Sequence, residues 1–404
     1  MLGYQFYHFS CWYYFPVYHL SKLTGVLHVG IDRKALQKSN DTKQSKLPIF
    51  KISVTSWLVF CVWAVLNAKV VDHVSDMTRT GMRKYNSCFD EVCSESVCRS
   101  ACAHYAIAWV AETHCALSLL LGLVYRPAKL RKLLNDLYYQ CTLVRVTFPI
   151  QICISTFVLL GIHACTFWMQ WQRNNYGVGF LHRFGYAYIA MITPIIHETF
   201  IAALVTCVEV LFKNFNDQID RLCTLDSVAV FQEDMTSKIE ALTHRHWKIT
   251  KLAVDLNRCY TIDFLISTLN FVLRTIYFCF LNLKFLVSAP KHKRSINVPK
   301  PMTIIFFLSV VAKYIWVCYR CDLACMEMNQ TLNHVRRLLL RKELKYNRTA
   351  YKTTKRFIYQ INSQPVAFTA CRLFSIDRNL LKKICGVTTT YFIILLQFQS
   401  SADS

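Results

Sequence analysis

A chain of 404 residues with 54% hydrophobic residues, 18% charged residues and only 10 glycines and 9 prolines departs from the composition of a soluble domain and suits lipid. Its net charge of +23 would ordinarily raise nucleic acid as a partner. The basic residues fall mostly between apolar runs, however, where they act as topology signals, and no basic patch with interleaved aromatics marks a nucleic-acid surface.

The first stretch, Met1 to Leu20, is crowded with rings: Tyr4, Phe6, Tyr7, Phe9, Trp12, Tyr13, Tyr14, Phe15 and Tyr18. It lacks the basic start and small-residue cleavage site of a signal peptide, and is expected to lie on the bilayer interface, where rings are half wet. A basic linker of Arg33, Lys34, Lys38, Lys43 and Lys46 follows, expected to be cytoplasmic.

Seven apolar runs then qualify as spans: Ile49 to Val71, Ala101 to Val124, Phe148 to Trp171, Phe184 to Phe212, Ile262 to Val287, Met302 to Tyr319 and Leu380 to Phe398. The expected fold is an all-α membrane protein of seven transmembrane helices with extended cytoplasmic helices. With the N-terminus inside and the C-terminus outside, most Lys and Arg fall on cytoplasmic segments. The loop carrying Lys291, Lys293, Arg294 and Lys300 goes against this count. The chain divides accordingly into an interfacial segment (1–48), spans one to four (49–212), a cytoplasmic extension (213–261), spans five and six (262–319), a cytoplasmic anchor region (320–379) and the seventh helix with a short outer tail (380–404). A rhodopsin-like receptor has its N-terminus outside, and neither an Asp-Arg-Tyr after the third span nor an Asn-Pro-x-x-Tyr in the last is present.

The predicted outer loop from Asp72 to Arg99 holds Cys88, Cys93 and Cys98, with Cys102 just beyond, in a compartment that permits a disulfide. Their spacings fit no zinc ribbon, and no metal or other cofactor is expected. Cys61, Cys115, Cys153, Cys165 and Cys207 sit in spans as small apolar packers. Within the two cytoplasmic stretches, Ile239, Leu242, Trp247, Ile249, Leu252, Val254 and Leu256, and then Leu332, Val335, Leu338, Leu339 and Leu344, recur at helical spacing and predict helices with one buried face. His244 and His246, two apart on such a helix, point away from each other and are read as surface. The sequons at Asn40, Asn329 and Asn347 fall on the cytoplasmic side and should carry no glycan.

No phosphate loop, nucleophile elbow or His-Glu-x-x-His occurs, so no catalytic residues are assigned and the chain is not read as an enzyme. Ionisable residues do lie within spans: Glu112, His114, His163, His197, Glu198, Arg274 and Lys313. Such charges pair with one another or serve function. Pro194 is the one clear mid-span breaker and no internal repeat is visible, unlike a transporter. The outer halves of the second to fourth spans carry His104, Tyr105, Trp109, His163, Phe167, Trp168, Tyr186 and Tyr188, among which a small ligand could dock.

The last run carries the most specific signal, Thr390-Tyr391-Phe392-Ile393-Ile394-Leu395-Leu396-Gln397-Phe398, behind Lys382 and Lys383. An amide facing lipid costs roughly a few kcal/mol, so Gln397 needs water or a partner. Ile394, Ile393 and Thr390 share its face, which could line a pore or end at the interface. This Thr-Tyr, five apolar residues, Gln-Phe pattern resembles the C-terminal motif of insect gustatory receptors, of the same superfamily as insect odorant receptors. The approach, Ile361-Asn362-Ser363-Gln364-Pro365-Val366-Ala367-Phe368-Thr369-Ala370-Cys371, Leu373-Phe374-Ser375-Ile376-Asp377 and Leu380-Leu381, is similar too, except that Arg372 stands where a small residue, often glycine, is usual.

The resemblance implies a tastant-gated, non-selective cation channel in the plasma membrane of sensory neurons. It implies a homo- or hetero-tetramer whose seventh helices form one axial pore, and a cytoplasmic subunit-contact domain. Gln397 and Phe398 would form the constriction, with Ile394 and Thr390 on the pore face and Tyr391 fixing the helix against its neighbours. Tyr105, Trp109, His163, Phe167, Trp168 and Tyr188 would wall the ligand pocket. Phe392 replaces the glutamate common in sugar-sensing members, which favours a non-sugar tastant. The alternatives are metabotropic signalling by a seven-helix receptor, or an odorant-receptor-like member.

Overall fold

The computed structural model describes residues 29–31, 50–52, 117, 121, 127–144, 158, 161–162, 164–165, 168, 178–224, 235–287 and 301–402. In chain order the elements are β1 (Val29–Ile31), β2 (Phe50–Ile52), α1 (Pro127–Val144), α2 (Val178–Thr224), α3 (Met235–Val287), α4 (Pro301–Leu339), α5 (Lys342–Tyr346), α6 (Arg348–Ser363), β3 (Thr369–Ala370), β4 (Phe374–Ser375) and α7 (Arg378–Ala402).

The described residues are predominantly helical, as expected, and two short antiparallel strand pairs accompany the helices. β1 and β2 pair antiparallel, with Val29 opposite Ile52 and Ile31 opposite Phe50, β-branched and aromatic residues that favour strand, so Phe50–Ile52 within the first predicted span is strand. β3 and β4 form a hairpin directly before α7.

Helices α2, α3 and α4 have 47, 53 and 39 residues. At 1.5 Å per residue they run about 60 to 80 Å, roughly twice a bilayer core. The boundaries read from sequence after 212, 261 and 319 therefore fall inside uninterrupted helices, because no glycine or proline breaks the chain there. Among the described residues two helical stretches, Thr193–Thr224 and Met235–Cys279, are long and apolar enough to cross a membrane. The seventh predicted span forms as a helix, but Lys382, Lys383, Thr388, Thr389, Thr390 and Gln397 dilute its apolar character.

Contacts fix the relative directions. Glu198 meets Lys313, Glu209 meets Arg320 and Asp220 meets His334, so α2 and α4 run parallel. His197 meets Asp263 while Gln218 meets Arg245, so α3 runs antiparallel to α2.

The long helices bury a shared core from the end of the fourth predicted span onward. Phe212, Phe215 and Ile219 of α2, Ile239, Ile249 and Leu252 of α3, Val335 and Leu338 of α4, Leu344 of α5 and Phe357 of α6 are all buried. At about 1.5–3 kcal/mol for each large apolar side chain, this cluster ties the extensions into one unit. Trp247 departs from the predicted buried face and lies 39% exposed, stacked against His244.

His246 corrects the surface reading. Its ring is 1% exposed, packed among Phe212, Phe215 and Phe357 at centroid distances of 6.0, 5.7 and 5.3 Å, and neither nitrogen finds a hydrogen-bond partner. The two histidines do diverge, as their spacing requires, and the divergence turns one of them inward. Burial lowers the His246 pKa to about 4, keeping the ring neutral. Asn347 acts as an N-cap, its Oδ1 accepting from the Ala350 amide at 3.0 Å.

Candidate functional site

The β3–β4 hairpin sets the approach to α7. At its turn the Leu373 amide donates to the Ala370 carbonyl at 2.9 Å, while Cys371 and Arg372 take φ of 50° and 62°. That left-handed pair is the φ signature of the primed hairpin turns, which favour glycine. Arg372 therefore occupies a strained position, which explains why the glycine usual in the resembled motif suits the turn.

The hairpin is pinned to α3 by residues one helical turn apart. Asn257 Oδ1 accepts from the Thr369 amide at 2.9 Å. Thr261 Oγ1 donates to the Thr369 carbonyl at 3.0 Å and accepts from the Cys371 amide at 2.6 Å. Phe368, buried, packs edge-on against Phe264. Two polar α3 side chains thus satisfy backbone groups of β3 on the edge away from β4.

α7 starts under tight control. Asp377 Oδ1 caps it by accepting from the Leu380 amide at 2.8 Å, and Arg378 pairs with Asp322 of α4 and lies over the Tyr319 ring. Beyond this anchor α7 buries a narrow stripe, Leu380, Ile384 and Thr388, at four-residue spacing. Lys383, Gly386, Thr390 and Gln397 are exposed, as are Ile394 (39%) and Tyr391 (53%). Thr390 Oγ1 donates back to the Gly386 carbonyl at 3.0 Å. One face of the helix therefore packs on its own chain, and the face carrying the Gln397 stripe is left uncovered by it.

A second feature is a polar seam between α2 and α4. Glu198 Oε2 lies 2.6 Å from Lys313 Nζ, and Glu209 Oε2 lies 3.2 Å from Arg320. Asn216 Nδ2 donates to the Glu327 carbonyl at 2.8 Å while its Oδ1 accepts from Thr331 at 2.7 Å. Asp220 Oδ1 lies 2.6 Å from His334 Nδ1. Lys313, Arg320, Glu327 and His334 recur every seven residues, which keeps them on the side of α4 that faces its parallel neighbour. Sequence reading singled out Lys313 and Glu198 as span charges and missed the rest; the seven-residue spacing was the available signal.

Where α3 joins this seam, Ser267 donates to Glu198, His197 Nε2 lies 2.9 Å from Asp263 and Arg274 Nε donates to Asn270 at 2.9 Å. Thr268 Oγ1 and the Tyr314 hydroxyl share a 2.7 Å bond, with the Tyr314 ring stacked on Phe271. Pro194, Glu198, Ser267, Asn270, Arg274, Lys313 and Tyr314 surround a cavity in which a water's centre can reach about 10 Å³, room for about one water. Glu198 is thus paired with Lys313, His197 with Asp263 and Arg274 with Asn270.

Of the expected pocket residues, Tyr105, Trp109, His163 and Phe167 lie outside the described residues, as do Cys88, Cys93, Cys98, Cys102, Glu112 and His114. Trp168 is helical and 50% exposed. Tyr188 sits in α2, ten residues before Glu198. Cys207 is buried as a packer, whereas Cys165 is exposed. Gln397, Ile394, Thr390, Tyr391 and Phe398 all lie on α7.

Residues 14–401 match the family model described as 7tm Chemosensory receptor. Gustatory receptor 68a of Drosophila melanogaster is 31% identical over 103 residues, a match spanning 26% of this chain and a quarter of that relative's length. In fold, the chain resembles the insect olfactory receptor OR5 from Machilis hrabei, with a TM-score of 0.60 at 14% identity, covering 86% of this chain and 90% of that one. It also resembles the same receptor in complex with eugenol, with a TM-score of 0.56 at 13% identity over 95% and 97% of the two chains. With nearly its whole length matched, the chain belongs to the 7tm chemosensory receptor family.

Proposed function

We propose that this receptor is a tastant-gated, non-selective cation channel of the sensory-neuron plasma membrane, in which four subunits, identical or related, contribute α7 to one axial pore. The observation that carries this reading is the asymmetry of α7. Leu380, Ile384 and Thr388 pack on the chain itself, while Thr390, Ile394 and Gln397 form an open stripe that ends in an amide. An uncovered face that carries an amide and a threonine suits water or a neighbouring subunit better than lipid. Gln397 and Phe398 would set the constriction, with the Phe398 ring keeping the closed pore dry, and Tyr391 would be covered by a neighbouring subunit.

The ligand would dock among Tyr105, Trp109, His163, Phe167, Trp168 and Tyr188 on the outer halves of spans two to four. The similar Machilis receptor is described in complex with eugenol, a small aromatic, which supports a small-molecule site in this fold. The loop charges support a seven-span arrangement with the N-terminus inside, and the parallel α2 and α4 with the opposed α3 are compatible with it.

The pore is tested by Gln397→Glu, which adds up to four negative charges around the axis and should raise divalent over monovalent permeability. Phe398→Ala should raise basal current, and Phe392→Ala, off the stripe, should leave ion preference unchanged. Agonist-evoked currents whose selectivity survives both pore substitutions, or that depend on G-protein signalling, would remove the channel mechanism in favour of the metabotropic one.

A further inference from the structure

We propose that Lys383 places one fixed positive charge per subunit at the inner mouth of the pore and thereby limits cation throughput. The inference rests on the α7 pore reading and adds a residue to it. With about 100° of turn per residue, Lys383 lies within about 20° of Thr390 and Ile394 and about 40° of Gln397 around the helix. All four are exposed on the uncovered side of α7. Fourteen residues at 1.5 Å each put Lys383 about 21 Å from Gln397 along the axis, near the opposite end of a hydrocarbon core.

The helix beneath is held, so the charge has a defined place. Asp377 caps α7, and Arg378 is engaged by Asp322 and Tyr319 within the two turns before Lys383. Lys382, also exposed, points about 100° away from Lys383 and off the stripe. By the same rule Lys382 lies about 60° from Gln397, about 80° from Thr390 and about 120° from Ile394, so the stripe passes through Lys383 rather than Lys382. Four ammonium groups around an axis raise the local potential, depleting cations at the mouth and depleting divalent ions more than monovalent ones.

Single-channel recording of the full-length receptor, on basal or agonist-evoked openings, tests this with Lys383→Gln, Lys383→Arg and Lys382→Gln. Lys383→Gln should raise unitary cation conductance about twofold or more at low ionic strength, where the screening length is about 30 Å, and raise the divalent-to-monovalent permeability ratio. The gain should shrink toward nothing near 1 M salt, where screening falls to about 3 Å. Lys383→Arg should match the parent, and Lys382→Gln should change conductance little. If Lys383→Gln fails to reach the surface, Lys383→Cys replaces it: a cationic thiol reagent applied from the cytoplasmic face should return its raised conductance to the parent value, with the parent as control for native cysteines. Unchanged conductance in Lys383→Gln while Gln397→Glu alters selectivity overturns the ring and leaves the pore standing. An equal gain from Lys382→Gln also overturns it. Selectivity indifferent to both Gln397→Glu and Lys383→Gln overturns the pore and the ring together.

Discussion

Lys313 of α4 holds its Nζ 2.6 Å from Glu198 Oε2 of α2, with both side chains less than a tenth exposed and Ser267 of α3 donating to the same carboxylate. Three helices therefore meet on one ion pair. Removing one partner leaves an uncompensated buried charge, so Lys313→Met should destabilise by about 3–5 kcal/mol. The Glu198→Gln, Lys313→Met double variant should recover much of that loss. Thermal unfolding of the detergent-solubilised receptor measures both, and additive losses in the double variant would mean the two residues are stabilised independently.

The hairpin before α7 should respond in two directions. Arg372→Gly relieves a residue held at φ 62° and should stabilise by about 1 kcal/mol. Thr261→Val removes the hydroxyl that serves both the Thr369 carbonyl and the Cys371 amide, and should cost about 1–3 kcal/mol. Melting temperatures that move the same way for both variants would contradict the assigned geometry.

His246 supplies a pH dependence. Its folded pKa, lowered to about 4 by burial, lies below the ordinary value of 6.5. The unfolded chain therefore binds the proton first, and the stability of the neutral packed ring is present above about pH 6.5 and lost as pH falls through about 4. The full loss is about 3 kcal/mol. His246→Leu should flatten the stability curve over that window, measured as melting temperature against pH.

For the ligand site, Trp109→Ala or Trp168→Ala should shift the response curve by about tenfold to a hundredfold, the worth of one aromatic wall, with surface expression preserved. A panel of bitter compounds, sugars, amino acids and carbon dioxide on the expressed receptor identifies the agonist. Loss of surface expression in both variants would place these rings in the structural core.

Orientation is tested by tags. A tag at Ser404 should be labelled on intact cells and one at Met1 should not, because the loop charges assign them to opposite sides. Labelling at Met1 alone would reverse the arrangement.

Composition and local pattern determined a great deal. Apolar runs and helical spacing gave the long helices of the second half, and Ile239, Ile249, Leu252, Val335, Leu338 and Leu344 proved buried as their periodicity required. The Thr-Tyr to Gln-Phe stretch pointed to the family that the whole chain matches. Other features depended on partners far away in sequence. His246 is core because Phe212, Phe215 and Phe357 arrive from two other helices, and nothing within its own helix reports that. Lys313 is neutralised by a residue more than a hundred positions earlier, since a parallel α2–α4 pair aligns side chains that local spacing cannot relate. The strain at Arg372 was visible as a departure from a motif, but its cause, a left-handed turn pinned to Asn257 and Thr261, exists only once the hairpin docks on α3. Periodicity fixes which face of a helix is apolar; which neighbour covers that face, and which face of α7 stays open, is decided by tertiary packing.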